Sequence, residues 1–380
     1  MKNIQPTDEQ YSAIKNFFEW FSSFKLGYSK RFFYISGPAG TGKTTICKFI
    51  LDELYNQNKN ICCCSFTGKA AVNFREKTGY DCNTIHSCIY KPVIVKGVVK
   101  EWRLNFGDSP CVDCDLILID EVSMVYKDLW DDLLKYNKPI LIFGDPYQLP
   151  PVQGDLLFHE KDFDFLLTHI HRQALENPII RLSKDVREGK EIPFGNYDNT
   201  VVKIRSSEFD WKNLLKFDQI LCGRNATRNE INGYFRMVKK FSSETPLIGD
   251  KLICLRNNRD AGVYNGQIFN ALSDSYNFDK GKGLFDIRLD YEDIKDGLAF
   301  TVFDDEFVRG SIRDTRWKIL NKDPFICQFD YAYAITVHKS QGSEWDNICV
   351  FDESFCFRED RKKWEYTAIT RASKRIMILR

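Results

Sequence analysis

No apolar run in the sequence approaches the roughly 20 residues that a membrane-spanning helix needs, and the opening MKNIQPTDEQ is polar, without the apolar core of a secretory signal. A cytoplasmic protein with no membrane partner is expected. An excess of one charge is also lacking: 54 basic residues against 53 acidic leave a formal net charge of +1, so bulk electrostatics neither demand nor exclude a polyanionic partner. There is no internal repeat, low-complexity tract or long flexible linker. The motif C-x-x-C occurs once, as CVDC (Cys111, Cys114), and no second pair at similar spacing follows, so these read as loop or strand cysteines and not as zinc ligands. The thirteen cysteines are read as reduced and buried, since ICCCSF has the look of an interior strand and free cysteine behaves as a small hydrophobe.

What is present is core material for more than one domain. Hydrophobic residues make up 43% and charged residues 28%, the balance of a soluble globular chain, and 380 residues exceed one ordinary core. TDEQYSAIKNFFEWFSSF has an acidic first turn and helically spaced apolar residues behind Thr7, a candidate N-cap. The runs RFFYIS, ICCCSF, DLILID and PILIFG follow without strict alternation, separated by helical stretches, as in parallel strands buried on both faces. YKPVIVKGVVKEWRL reads as a hairpin turning at Lys96-Gly97. A second α/β pattern starts near Leu156. From about Thr245 to Cys327 short strand-like runs with Gly, Asn and Asp punctuation suggest a small β-barrel insertion before the α/β pattern returns.

Ligands of doubly wound sheets gather at the carboxyl ends of the strands, and those ends carry GPAGTGKTT, SFTGKAA, DEVSM and GDPYQLPP. GPAGTGKT, between an apolar strand and a helix, is a phosphate cradle: backbone N–H groups from Gly37, Ala39, Gly40, Thr41 and Gly42 onward and a helix N-terminus face the anion, with Pro38 in the turn and Thr45 in the first helical turn. Lys43 reaches the β and γ phosphates and Thr44 ligates Mg²⁺. Asp120 and Glu121 end a buried strand, where Asp120 suits the Mg²⁺ shell and Glu121 the activation of an attacking water. Gln148 cannot titrate near neutral pH, yet it offers a donor and an acceptor, as a sensor of the γ-phosphate requires. Arg172 and Arg371 could meet charge developing on the transferred phosphoryl.

Taken together, DEQ, GPAGTGKT, FTGKAA, TIH, DEVSM, GDPYQLPPV, HRQ, TVHKSQGSEWD and YTAITRA resemble, in order and over nearly the full chain, the superfamily 1B DNA helicases of the RecD-like and Dda-like branch. That resemblance implies an α/β protein of two RecA-like P-loop NTPase domains. Domain 1A would span 1–155, with a hairpin insertion at about 88–112; domain 2A would span 156–244 and 328–380, with an SH3-like insertion at 245–327. It implies ATP and Mg²⁺ as cofactors and 5′ to 3′ translocation on single-stranded DNA with unwinding of tailed duplexes. It further implies a monomer that works with single-stranded-DNA-binding or replication and recombination proteins. Gln10 would recognise adenine, Glu344 would lie near the ribose, and Arg172 and Arg371 would be arginine fingers. Thr67, Lys69, Thr84, His86, Thr336 and His338 would line the DNA path.

Hydroxyls, a lysine and imidazoles at strand ends suit phosphate contacts that position a strand without reading sequence, and Phe66, Tyr147, Trp102 and Trp345 could stack on bases. Relatives usually carry proline where this chain has Phe66, which adds a stacking surface. The hairpin tip, flanked by valines, offers no aromatic wedge. Two other readings stay open: a single-strand translocase that strips bound proteins and unwinds weakly, and a nucleotide-dependent assembly subunit without turnover. A nuclease is disfavoured because no further carboxylate cluster resembles a second metal site.

Overall fold

Thr7 caps the first helix as its place before an acidic turn implies. In the computed structural model, α1 (Asp8–Ser23) begins with a capping box in which Thr7 accepts from the Gln10 N–H while Gln10 accepts from the Thr7 N–H. The structure describes residues 5–95, 98–150, 157–158, 162–170, 176–256, 258, 261, 263, 265–291, 294–304, 307 and 325–380. Arg172, the hairpin tip Lys96-Gly97 and the side chains of Lys69 and Trp102 lie outside the described residues. Among the described residues no helix is long and apolar enough to cross a membrane. The chain divides into two units, one of Met1–Tyr90, Leu104–Asp210 and Ser340–Arg380, the other of Lys91–Arg103 and Trp211–Lys339.

In the first unit β1 (Phe32–Ser36), α2 (Lys43–Asn56), β2 (Ile61–Ser65), α3 (Gly68–Thr78), β3 (Asn83–Thr84) and α4 (Ile85–Ile89) follow α1. The hairpin strands β4 (Tyr90–Val95) and β5 (Val98–Leu104), which from Lys91 to Arg103 belong to the second unit, come next in the chain with two residues between them. The chain then forms α5 (Pro110–Asp113), β6 (Leu116–Asp120), α6 (Lys127–Leu134), β7 (Ile140–Gly144) and β8 (Phe165–Leu166). Strands β3-β2-β6-β7-β1-β8 make one sheet in which every pairing is parallel. The apolar runs that lacked alternation are the buried strands, because helices cover them on both faces. On one face Ala13 and Phe17 of α1, Ile46, Ile50 and Leu54 of α2 and Cys63 of β2 close a core. All parallel strands point the same way, so the segments leaving β1, β2, β6 and β7 emerge along one edge.

The same unit holds β9 (Gly195–Tyr197), β10 (Val201–Ile204), β20 (Trp345–Phe351) and β21 (Ala372–Leu379). β21 pairs in parallel with β20 and β10, and β9 joins antiparallel at the edge. The helices Pro178–Arg187 and Arg361–Ile369 pack on each other and against β21. The second unit pairs β11 (Gln219–Cys222) in parallel with β19 (Ala334–Thr336). Asn232, on the helix Asn225–Val238, donates to Tyr331 O and accepts from Ala334 N, fixing the start of β19. Between them β12 (Lys251–Cys254), β13 (Ile268–Asn270) and β18 (Phe329–Tyr331) form one antiparallel sheet. β14 (Tyr276–Asp279), β15 (Leu284–Tyr291), β16 (Ile294–Phe303) and β17 (Ile326–Cys327) form a second sheet, antiparallel except where β16 and β17 pair in parallel. Gly297 in β16 has φ +63°, and a Cβ there would lie 2.1 Å from Leu289 O, so the strand irregularity at this point requires glycine.

Candidate nucleotide site and nucleic-acid interface

Between β1 and α2 the chain turns through Gly37 to Thr44. Gly40 and Gly42 take φ +84° and +80°, the left-handed region in which a side chain costs about 1 kcal/mol or more. A Cβ on Gly37 would come 2.8 Å from Leu167 Cβ, so the backbone there is packed too closely for any other residue. Thr41 Oγ1 donates to Pro38 O at 2.9 Å and closes the loop from inside. Lys43 Nζ donates to Gly37 O at 2.6 Å and Pro38 O at 3.1 Å, placing its charge across the loop mouth. Thr44 and Thr45 open α2, half-buried. Gln10 Nε2 donates to Thr41 O at 3.2 Å, which ties α1 to the same loop.

Asp120 and Glu121 leave β6 beside this loop. Burial, followed by the neighbouring Glu121 charge, pushes the Asp120 carboxyl up to about 7, with Lys43 opposing. Glu121 has φ +58° and ψ +56°, a strained setting for a non-glycine residue, and its Oε2 is buried with no hydrogen-bond partner. Two half-buried carboxylates, one with a buried oxygen that lacks a hydrogen-bond partner, fit a hard divalent cation such as Mg²⁺, with oxygens of Thr44 and Asp120 as the candidate ligands.

The strap after β7 completes the site. Gln148 is 7% exposed, and its Oε1 is buried without a hydrogen-bond partner. Tyr34, Val122, Ser123 and Asp145 line a pocket together with Gln148. Its neighbour Leu149 is held on both backbone groups: the N–H donates to Thr367 Oγ1 at 2.9 Å, and the carbonyl accepts from Gln341 Nε2. The Tyr366 hydroxyl accepts from Ala39 N of the phosphate loop at 2.8 Å and donates to Asp145 Oδ2 at 2.6 Å. Burial raises the Asp145 carboxyl above its ordinary range, with Lys43 and Tyr366 opposing the rise, and burial beside Asp145 raises the Tyr366 phenol well above its own.

Sequence reasoning missed Asp145, Gln341, Tyr366 and Thr367. A carboxylate ending an apolar run in GDPYQ was the one available signal. Arg371, 4% exposed, donates to Thr367 O, Ser343 O and Thr370 Oγ1, all within its own neighbourhood. Glu344 pairs with Lys77 at 2.8 Å.

The residues expected along a nucleic acid are distributed unevenly. Thr67 caps α3, accepting from Ala70 N, and Thr84 caps α4, accepting from Ser87 N. His86 is buried, its Nε2 3.3 Å from Tyr126 Oη, with the Phe66 ring edge-on at 6.0 Å. Phe66, half-buried above it, is the more accessible ring. Tyr147 packs under the Arg187 guanidinium, 5.0 Å from the ring centroid, and edge-on to Tyr366. Trp345 opens β20, its N–H donating to Arg371 O. Lys69 lies on α3; Thr336 ends β19, and His338 follows it in the second unit.

A family model described as an AAA domain matches residues 8–202, and one described as a UvrD-like helicase C-terminal domain matches 331–379. The ATP-dependent RecD2 DNA helicase of Deinococcus radiodurans is 28% identical over 375 residues, 91% of this chain and 46% of that protein. The ATP-dependent DNA helicase dda of Enterobacteria phage T4 is 34% identical over 182 residues, 44% of this chain and 39% of the relative. The matched segments thus span less than half of these two relatives. A solved structure of two coordinating Pif1 helicases at forked double-stranded DNA matches with a TM-score of 0.51 at 20% identity, over 99% of this chain and 92% of that one. The α/β fold resembles that of Pif1, with RecA-like domains.

Proposed function

Because the chain belongs to the AAA domain family, whose model matches over half of it, and resembles superfamily 1B helicases along its length, we propose that it is an ATP-driven DNA helicase moving 5′ to 3′ on single-stranded DNA. The observation that carries this reading is the seat of the helix Arg361–Ile369. Through Tyr366 and Thr367 it bonds both the phosphate loop and the strap that holds Gln148. A change at a bound γ-phosphate would therefore act on elements from both halves of the sequence, as a motor needs and a simple phosphatase does not.

In this reading Lys43 leaves the carbonyls of Gly37 and Pro38 for the phosphates, and Glu121 orients and deprotonates the attacking water. Gln148 senses the γ-phosphate, Gln10 holds adenine and Glu344 lies near the ribose. Arg172 and Arg371 stabilise the transferred phosphoryl, Arg371 by breaking its present carbonyl bonds. Bound Mg²⁺ would neutralise charge on the phosphate oxygens. The finer domain division goes with this proposal: 1A at 1–155, 2A at 156–244 and 328–380, and an SH3-like 2B at 245–327. Single-stranded DNA would lie along Phe66, Thr67, Lys69, Thr84, Thr336 and His338, with His86 supporting Phe66 from below.

Steady-state ATP turnover with and without single-stranded DNA, together with displacement of strands from 5′-tailed and 3′-tailed duplexes, tests the reading. The expected result is DNA-stimulated turnover, abolished by Lys43→Ala, and displacement from the 5′-tailed substrate alone. Turnover indifferent to DNA would refute the motor. Stimulated turnover with removal of bound protein but no strand displacement would favour the translocase.

A further inference from the structure

Apart from the nucleotide site, four thiols converge inside the first unit. Cys62 and Cys64 sit two apart on β2, so the alternation of a strand directs both side chains to one face, whereas Cys63 between them joins the core on the other. Cys88 comes from α4 and Cys111 from α5. Cys62 Sγ lies 3.6 Å from Cys64 Sγ and 3.5 Å from Cys111 Sγ, and the sulfurs of Cys62, Cys64 and Cys88 all lie within 4.8 Å of one another. All four residues are at most 5% exposed.

We propose that Cys62, Cys64, Cys88 and Cys111 form a tetrathiolate site for one thiophilic cation of the zinc class. Bonds of about 2.3 Å at tetrahedral angles place thiolate sulfurs about 3.8 Å apart, close to the 3.6 and 3.5 Å that separate Cys62 from Cys64 and from Cys111. An all-sulfur donor set without carboxylate or carbonyl selects a soft or borderline ion over Mg²⁺ or Ca²⁺. Sulfurs already in contact leave room for a single ion and none for the inorganic sulfides of an iron–sulfur cluster. As each metal–sulfur bond forms, the thiol gives up its proton to solvent, so loading releases protons and weakens in acid.

Outer contacts hold the donors in place. Ser109 Oγ accepts from Cys111 N at 3.0 Å and donates to Cys88 O at 2.7 Å, joining the two helical ligand segments. Cys114, the partner of Cys111 in C-x-x-C, donates instead to Cys111 O and is not a ligand in this proposal. Cys88 lies just before β4 and Cys111 shortly after β5, so the ion would close the chain where it enters and leaves the hairpin.

The test is metal analysis of the full chain purified in reductant without chelator, followed by titration of the demetallated protein with Co²⁺. About one equivalent of zinc is expected, and Co²⁺ should give thiolate-to-metal charge transfer with the ligand-field bands of tetrahedral sulfur coordination. Cys88→Ser and Cys111→Ser should each weaken binding by at least about 10-fold, the loss that even an outer-shell partner causes. Cys356→Ser, at an exposed cysteine, should leave binding unchanged. The wild-type spectrum decides even if a variant misfolds. Metal-free protein that gives no cobalt–thiolate spectrum overturns the proposal, as does a spectrum unchanged in both ligand variants.

Discussion

Tyr366 donates its hydroxyl proton to Asp145 at 2.6 Å and accepts the Ala39 N–H at 2.8 Å, so one phenol links the phosphate loop, the strap after β7 and the helix Arg361–Ile369. Tyr366→Phe keeps the ring and removes the link, leaving a buried carboxylate and a backbone donor each short of a partner. Hydrogen bonds to charged groups are worth about 1.5–3 kcal/mol, so urea unfolding should show a loss of that order. ATP turnover should fall about 10-fold or more if the link transmits closure of the site. A variant with wild-type stability and wild-type turnover would show the bond to be incidental.

Glu121 combines a left-handed backbone with a buried, unpartnered carboxylate oxygen, two costs at one position. Strain of this kind is worth about 1–3 kcal/mol, and glycine relieves it while also removing the buried charge. Glu121→Gly should therefore melt at a higher temperature than the wild type while losing ATP turnover by about 10²–10⁴-fold, the share of a positioned general base. Differential scanning calorimetry beside a phosphate-release assay measures both. A less stable Glu121→Gly would mean that the carboxylate is held by favourable interactions.

These sites differ in how far the sequence discloses them. The phosphate loop is legible because its glycines answer a local backbone demand, and Thr7 is legible because a cap precedes its helix directly. Buried strands read correctly as apolar runs for the same local reason. Tyr366 and Asp145 escape because the bond between them joins positions 221 residues apart, and a tyrosine on a helix beside Trp364 reads as core. Thr67 and Thr84 show a second duty that spacing alone does not disclose: the hydroxyls read as phosphate contacts also accept backbone N–H groups as helix caps. The thiol group escapes because C-x-x-C is the spacing of a turn, whereas a strand brings residues two apart, such as Cys62 and Cys64, to one face.

Leu149 is fastened at both its N–H and its carbonyl, which leaves Gln148 beside a fixed point. In the proposed function, a carboxamide placed there would report the γ-phosphate to Thr367 and Gln341 without taking part in proton transfer. Gln148→Ala should retain basal ATP turnover within a few-fold and lose most of its stimulation by single-stranded DNA. Thr367→Val, which cuts the strap on the other side, should produce the same split. Equal loss of basal and stimulated rates in both variants would assign Gln148 to the chemical step instead.

Lys251 in the second unit gives a pH dependence of defined sign. Its Nζ donates to Asp218 O at 2.9 Å and Gln219 Oε1 at 2.8 Å, and burial pushes its ammonium down to about 8. The unfolded chain keeps the ordinary value near 10.4, so between about 8 and 10 the unfolded state binds more protons than the folded one, and stability rises with pH. Below about 8 both states are protonated and the cost of the buried charge is present in full. Cysteines and tyrosines of the unfolded chain have ordinary values of about 8.5 and 10, so the informative quantity is the difference between the wild type and Lys251→Met. Urea midpoints at about pH 7.5 and about pH 9.5, at constant ionic strength, should show the wild type gaining on the variant across that interval. A difference that stays flat or changes the other way would mean that the carbonyl of Asp218 and the amide of Gln219 compensate the ammonium fully.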